Sequence, residues 1–162
     1  MNSAYLLTGG NVGDRPANLL TASTQISQVC GPIVKSSSVY ETAPWGNNLQ
    51  PAFLNQVLFV HTLLSARKLL NAILSIEAKM GRKRFEKYGP RLIDIDLLFF
   101  NSDIIRLPHL HIPHPEMIHR RFVMEPLAEI APEFIHPVFQ LSVKALLLQC
   151  EDKLDVKKFL TG

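Results

Sequence analysis

Two aspartates, Asp94 and Asp96, interrupt an apolar stretch, LIDIDLLFF, whose composition otherwise suits a buried strand. Side chains alternate along a strand, so both carboxylates project from one face, about 7 Å apart, with Ile93, Ile95 and Leu97 on the other. Two like charges on an apolar strand repel each other and lose hydration, and burial without a partner is costly for each. Something positive must lie between them. Either arginines supply it, Arg91 first, or a hard cation does: Mg²⁺ takes oxygen ligands and commonly uses one or two carboxylates together with substrate phosphates. The segment leading into the strand, GRKRFEKYGPR, carries Arg82, Lys83, Arg84, Lys87 and Arg91 against Glu86 alone. Such a run is either a solvated loop or an anion site. Arginines beside a carboxylate-bound cation form the electrostatic set that polyphosphate chemistry uses.

The elements that hold these groups can be read in outline. SAYLLTGG reads as a first strand. Asp14 caps a helix beginning near Pro16, with Leu19, Ala22, Ile26 and Val29 at helical spacing and Gly31-Pro32 as its stop. PIVKSSSVYET reads as one strand and APWGNNLQP as a loop. FLNQVLFVHT is a strand with Phe53, Asn55, Val57 and Phe59 on one face. Ser65 caps a helix running to about Met80, closed by Gly81, and the basic segment and the aspartate strand follow. Frequent prolines after residue 107 predict short helices and turns, and SVKALLLQC a helix near the end. The order is βαββαβ, an α+β, ferredoxin-like sandwich with helices on one face of a mainly antiparallel sheet.

The bulk properties bound the rest. A chain of 162 residues, 47% hydrophobic and 19% charged, builds one globular domain, 1–162. No apolar run reaches the ~18 residues of a membrane span, and the N-terminus lacks the pattern of a signal peptide. Cys30 and Cys150 are too few for a disulfide framework and match no metal spacing. A cytoplasmic, reduced protein is expected. A net charge of +3 does not by itself indicate nucleic acid.

At this point the residues meet a family. YGPRLIDIDLL resembles the signature of the 6-hydroxymethyl-7,8-dihydropterin pyrophosphokinases. LLTGGNVGD is similar to that family's first strand and glycine turn, SSSVYETAPWG to its second strand and first pterin loop, and FLNQV to the strand with the pterin-binding asparagine. IEAKMGRKR and IPHPEMIHRRFVMEPLAEIAP resemble its arginine loop and its nucleotide-contacting segment. The likeness covers most of residues 4–138 in order, whereas the last twenty residues add little to it. It implies diphosphate transfer from ATP to the pterin alcohol, releasing AMP, by a monomer without nucleic-acid or membrane partners. It implies that Asp94 and Asp96 hold two Mg²⁺ ions and that Arg82, Arg84 and Arg91 act on the phosphates. Glu77, Leu97, His111, His114 and Arg120 are implied to lie along the nucleotide, and Thr42, Trp45, Phe53, Asn55 and Phe122 around the pterin.

Three departures and several alternatives stand beside the resemblance. Tyr88 replaces a common tryptophan, Leu74 replaces a glutamine, and the loop between Arg84 and Tyr88 is one residue short. Glu77 reads equally as a solvated helix carboxylate, and Phe53 and Phe122 as plain core. His109, His111, His114 and His119 are close enough to suggest zinc, but Pro108, Pro113 and Pro115 oppose a shared helical face for the first three. His109 and His119 are expected at the surface. An RNA-binding module and an inactive nucleotide-sensing domain are the rival functions on the same fold.

Overall fold

The computed structural model of the chain describes residues 1–43, 49–81 and 92–160. Trp45, Arg82, Arg84, Tyr88 and Arg91 lie outside them. Strand β1 (Asn2–Gly10), helix α1 (Arg15–Val29), β2 (Ile33–Ser36), β3 (Tyr40–Thr42), β4 (Phe53–Thr62), α2 (Ala66–Lys79) and β5 (Asp94–Phe100) come first. A hairpin of β6 (Ile105–Leu107) and β7 (Leu110–Ile112) follows. Then come a 3-10 turn over Met117–His119, helices α3 (Arg121–Ile130) and α4 (Val143–Leu148), and strand β8 (Val156–Lys158). Among the described residues the main sheet is ordered β5-β1-β4-β3-β8, with β2 also on β4, and every pairing is antiparallel. This is the ferredoxin-like α+β arrangement, with β1 and β4 at its centre.

Local chemistry accounts for the helix ends. Asp14 accepts from Ala17 N at 3.2 Å and Ser65 accepts from Lys68 N at 3.3 Å, each meeting a donor that the first helical turn leaves unpaired. Gly81, with φ of 85°, follows α2 in the left-handed conformation that closes helices. Val29 is exposed, and the neighbouring Cys30 takes the buried position that helical spacing gave to Val29.

Two expectations need correction. The segment read as one strand is two, β2 and β3, because Ser37 breaks the ladder. Its N–H donates to Val57 O and its hydroxyl accepts from Val57 N, both at 2.9 Å, so a side chain stands in for a backbone partner. Helices cover both faces of the sheet rather than one. Ala4, Leu6, Leu54 and Leu58 pack with Leu19, Ile26, Leu69 and Ile73 of α1 and α2. On the opposite face Tyr5, Leu7, Val57 and Phe99 pack with Val123, Met124 and Leu127 of α3 and Val143 and Leu146 of α4. The proline-rich tail forms the short helices and turns expected of it, with α4 inside SVKALLLQC. Val123, Met124, Leu127 and Ile130 bury one face of α3 even though Pro126 lies inside that helix. No helix among the described residues is long and apolar enough to cross a membrane.

Candidate active site

The site is built on the sheet face that α3 covers. Asp94 and Asp96 open β5, both half-buried, on the side continued by Leu98, while Ile93, Ile95 and Leu97 pack into the α1–α2 core. A register shift between β1 and β5 sets Leu98 and Phe99 together on the α3 side, which ends the simple alternation just past the aspartates. Leu97 therefore lies where alternation puts it and not beside Asp94 and Asp96. Any nucleotide contact there is confined to the 6% of the residue left exposed.

Register brings the predicted halves of the site together. Asp94 pairs with Gly9, and Gly9 pairs with Asn55. One rung along, Asp96 pairs with Leu7 and Leu7 with Val57. Asn55 is 4% exposed and pairs with Tyr40, and Phe53 pairs with Thr42. Directly opposed residues share a face, so Asp94, Asn55, Phe53 and Thr42 all look toward the side carrying α3. Gly9 separates the aspartate from the asparagine with no side chain of its own. A Cβ there would overlap the Asn55 side-chain oxygen, which is why this strand needs glycine at that point. The Thr42 hydroxyl is buried and has no hydrogen-bond partner among the described residues.

The segment after β7 adds the polar groups. His114 N donates to Leu98 O at 3.0 Å, seating the histidine alongside β5. Its Nδ1 accepts from Glu116 N at 3.2 Å, which puts the ring proton on Nε2. Burial, then the positive charge of Arg120, holds the His114 pKa below the usual imidazole value against the opposing pull of Glu116 and Asp94. The electrostatic neighbours of His114 are thus Arg120, Glu116, Asp94 and His111, which gathers three predicted nucleotide residues and one predicted metal ligand into one field. The Arg120 guanidinium stands 5.9 Å from the centre of the Phe122 ring, and Phe122 is half-buried against the α3 side of the core. His111 is exposed on β7, and His109 and His119 are exposed as expected. Among the described residues no three His, Cys, Asp or Glu side chains form a metal-binding group.

Glu77 is not a solvated carboxylate. It is 3% exposed, and its Oε2 accepts from Ile95 N at 2.8 Å, satisfying an outward N–H of the edge strand between the two aspartates. Leu74 is 40% exposed on the same helix. One contact that no motif signals is Tyr40 with Glu129, 89 residues apart. The phenol donates to Glu129 Oε1 at 2.6 Å, and Ser38 N and Oγ also donate to that carboxylate. Burial alone would raise the Glu129 pKa, but these hydrogen bonds outweigh it and hold it low, while burial and Glu129 together raise that of Tyr40. The result fastens the far end of α3 to the strand that pairs with Asn55.

Comparisons with known proteins identify the family and the fold. The family model described as 7,8-dihydro-6-hydroxymethylpterin-pyrophosphokinase matches residues 5–132. A 2-amino-4-hydroxy-6-hydroxymethyldihydropteridine pyrophosphokinase of Aquifex aeolicus is 42% identical over 144 residues, covering 89% of each chain. Its counterpart in Bacillus subtilis is 41% identical over 133 residues, 82% of this chain and 80% of the relative. A folic acid synthesis protein of Dictyostelium discoideum is 40% identical over 91% of this chain, which spans only 22% of that relative's length. The crystal structure of Plasmodium falciparum HPPK-DHPS with pteroate shares the fold, with a TM-score of 0.75 at 19% identity, over 91% of this chain and 42% of that one. With its matched residues running from the first strand through α3, the chain belongs to the 7,8-dihydro-6-hydroxymethylpterin pyrophosphokinase family.

Proposed function

We propose that this chain transfers a diphosphate group from ATP to the hydroxymethyl oxygen of 6-hydroxymethyl-7,8-dihydropterin, a step of folate biosynthesis. The observation that carries the reading is the shared rung of Asp94 and Asn55 across Gly9. Two strand spacings, about 10 Å, separate the backbone of a phosphate-side carboxylate from that of a pterin-side carboxamide, and the Asn55 side chain reaches over the bare Gly9 between them, toward the strand of Asp94. The pterin alcohol oxygen bonds to that phosphorus as the α–β bridging bond breaks. AMP departs with the bonding pair, and the hydroxyl proton is released to solvent.

Each residue has a role suited to its type. Asn55 both donates and accepts, matching the amide-like edge of a pterin, and Phe53 and Phe122 offer flat apolar surfaces to the ring. The buried, unpaired Thr42 hydroxyl supports a polar ligand atom at that end. On the nucleotide side, neutral His114 presents a donor at Nε2 and Arg120 a fixed positive charge, both fit for phosphate oxygens. Arg82 and Arg84 are suited to the triphosphate oxygens by the same chemistry, and Arg91 to bracing the triphosphate or the acidic site. The two half-buried carboxylates of Asp94 and Asp96, on one strand face, fit the oxygen-donor set of Mg²⁺. Ions held there would neutralise charge on the phosphate oxygens as the bridge breaks. Positioning and charge compensation carry such a transfer without a strong base.

Calorimetric titration with an unhydrolysable MgATP analogue, with and without the pterin, tests the reading. Binding of the analogue that strengthens the subsequent binding of pterin supports it. A chain that binds neither contradicts it.

A further inference from the structure

Helix α3 begins with two residues of the proposed site: Arg120 at its cap position and Phe122 in its first turn. The cap residue's side chain makes no capping bond, and an arginine cannot, because a guanidinium only donates. The missing acceptor comes from elsewhere in the chain. Asp152 Oδ2 accepts from Arg121 N at 2.9 Å, and Asp152 Oδ1 accepts from Leu154 N at 3.0 Å. The Arg121 side chain completes the knot. Its Nε donates to Asp152 O at 2.9 Å, its Nη2 to Cys150 O at 3.2 Å and its Nη1 to Glu125 Oε1 at 3.1 Å. Beyond the knot the chain enters β8, which pairs with β3 from Tyr40 to Thr42. Phe159 N then donates to Val39 O at 2.8 Å, and the Phe159 ring lies 5.4 Å from the guanidinium of Arg15. Arg15 in turn holds Glu41 at 2.7 Å and Ala52 O at 2.9 Å. One segment, 150–159, is therefore fastened at one end to the helix start carrying Arg120 and Phe122. At the other end it is fastened to the strand carrying Thr42.

We propose that Asp152 and Arg121 are positioning residues for the transfer reaction. Asp152 caps α3 in place of position 120, so that position can carry a guanidinium for the nucleotide instead of a capping side chain, and the segment anchored by Arg121 fixes Phe122 over the pterin strands. A normal capping residue at position 120 would satisfy the helix but remove the phosphate-binding guanidinium. Supplying the cap from a distant carboxylate meets both demands. The inference rests on the function proposed above.

The test uses the full chain, with steady-state AMP formation measured well below each variant's Tm. Asp152→Ala should raise KM for both MgATP and pterin about five- to tenfold, the scale of one lost capping bond. Asp152→Asn keeps an acceptor for Arg121 N and should recover most of that loss. Lys153→Ala, an exposed neighbour, should match wild type. If Asp152→Ala fails to fold, Arg121→Ala carries the test, because it keeps the backbone cap but loses the knot; its KM values should rise as well. A lower Tm with wild-type kcat and KM in the folded variants would make the knot purely structural and overturn the inference alone. A wild-type chain that forms no AMP would sink the function and this inference with it.

Discussion

Asp94 and Asn55 stand level on the sheet, on either side of Gly9. Their separation along the sheet is set by backbone pairing, and the Asn55 side chain can lie over Gly9 only because Gly9 carries no Cβ. Gly9→Ala places a methyl group against the Asn55 carboxamide oxygen. The expected result is a loss of about 1–3 kcal/mol of stability, typical of a group forced into a packed site, and pterin affinity reduced far more than nucleotide affinity. Thermal melts and separate titrations of the two ligands measure this. Equal losses for both ligands would point to general disruption of the sheet.

Asp94→Asn and Asp96→Asn should each abolish turnover with the fold retained. Chelation of divalent metal in the wild type should give the same loss of turnover, reversed by added Mg²⁺. Turnover at the wild-type rate in either variant contradicts the assignment of these carboxylates.

How much of this was legible depended on whether the signal was local. Asp14 and Ser65 announce their helices, and Asp94 with Asp96 and Phe53 with Asn55 announce one-sided strands, because caps and alternation involve near neighbours in sequence. The rung joining Asp94 to Asn55 is a matter of register between three strands far apart in the chain, and no window of sequence displays it. The second covered face left a trace: AYLL in β1 is apolar at every position, as a strand packed on both faces must be. Helix α3 was foreseen only as one of several short helices, because Pro126 interrupts its pattern; the ring is accommodated in a buried position despite the missing donor. Strand β8, only Val156–Lys158, has too little pattern to be seen without its partner β3.

The pH dependence of stability follows from two histidines. Burial lowers the pKa of His136, and burial followed by Arg120 lowers that of His114. The unfolded chain takes up protons near the ordinary imidazole value of about 6.5, whereas the folded chain resists until lower pH. Their contribution to stability is therefore complete above the ordinary value and is lost as pH falls from there through the folded values. Tm should drop between about pH 7.5 and about pH 5.5, and His114→Gln should narrow the drop. A Tm unchanged across that interval contradicts the placement of these imidazoles.

The central claim is that the β-phosphorus is attacked, so the most direct measurement is the identity of the nucleotide product. A reaction of the wild-type chain with MgATP and 6-hydroxymethyl-7,8-dihydropterin is separated by chromatography. The expected result is AMP appearing in step with pterin consumption, with a diphosphorylated pterin as co-product and neither ADP nor free phosphate. Stoichiometric ADP would show a γ-phosphoryl transfer on the same scaffold and contradict the account.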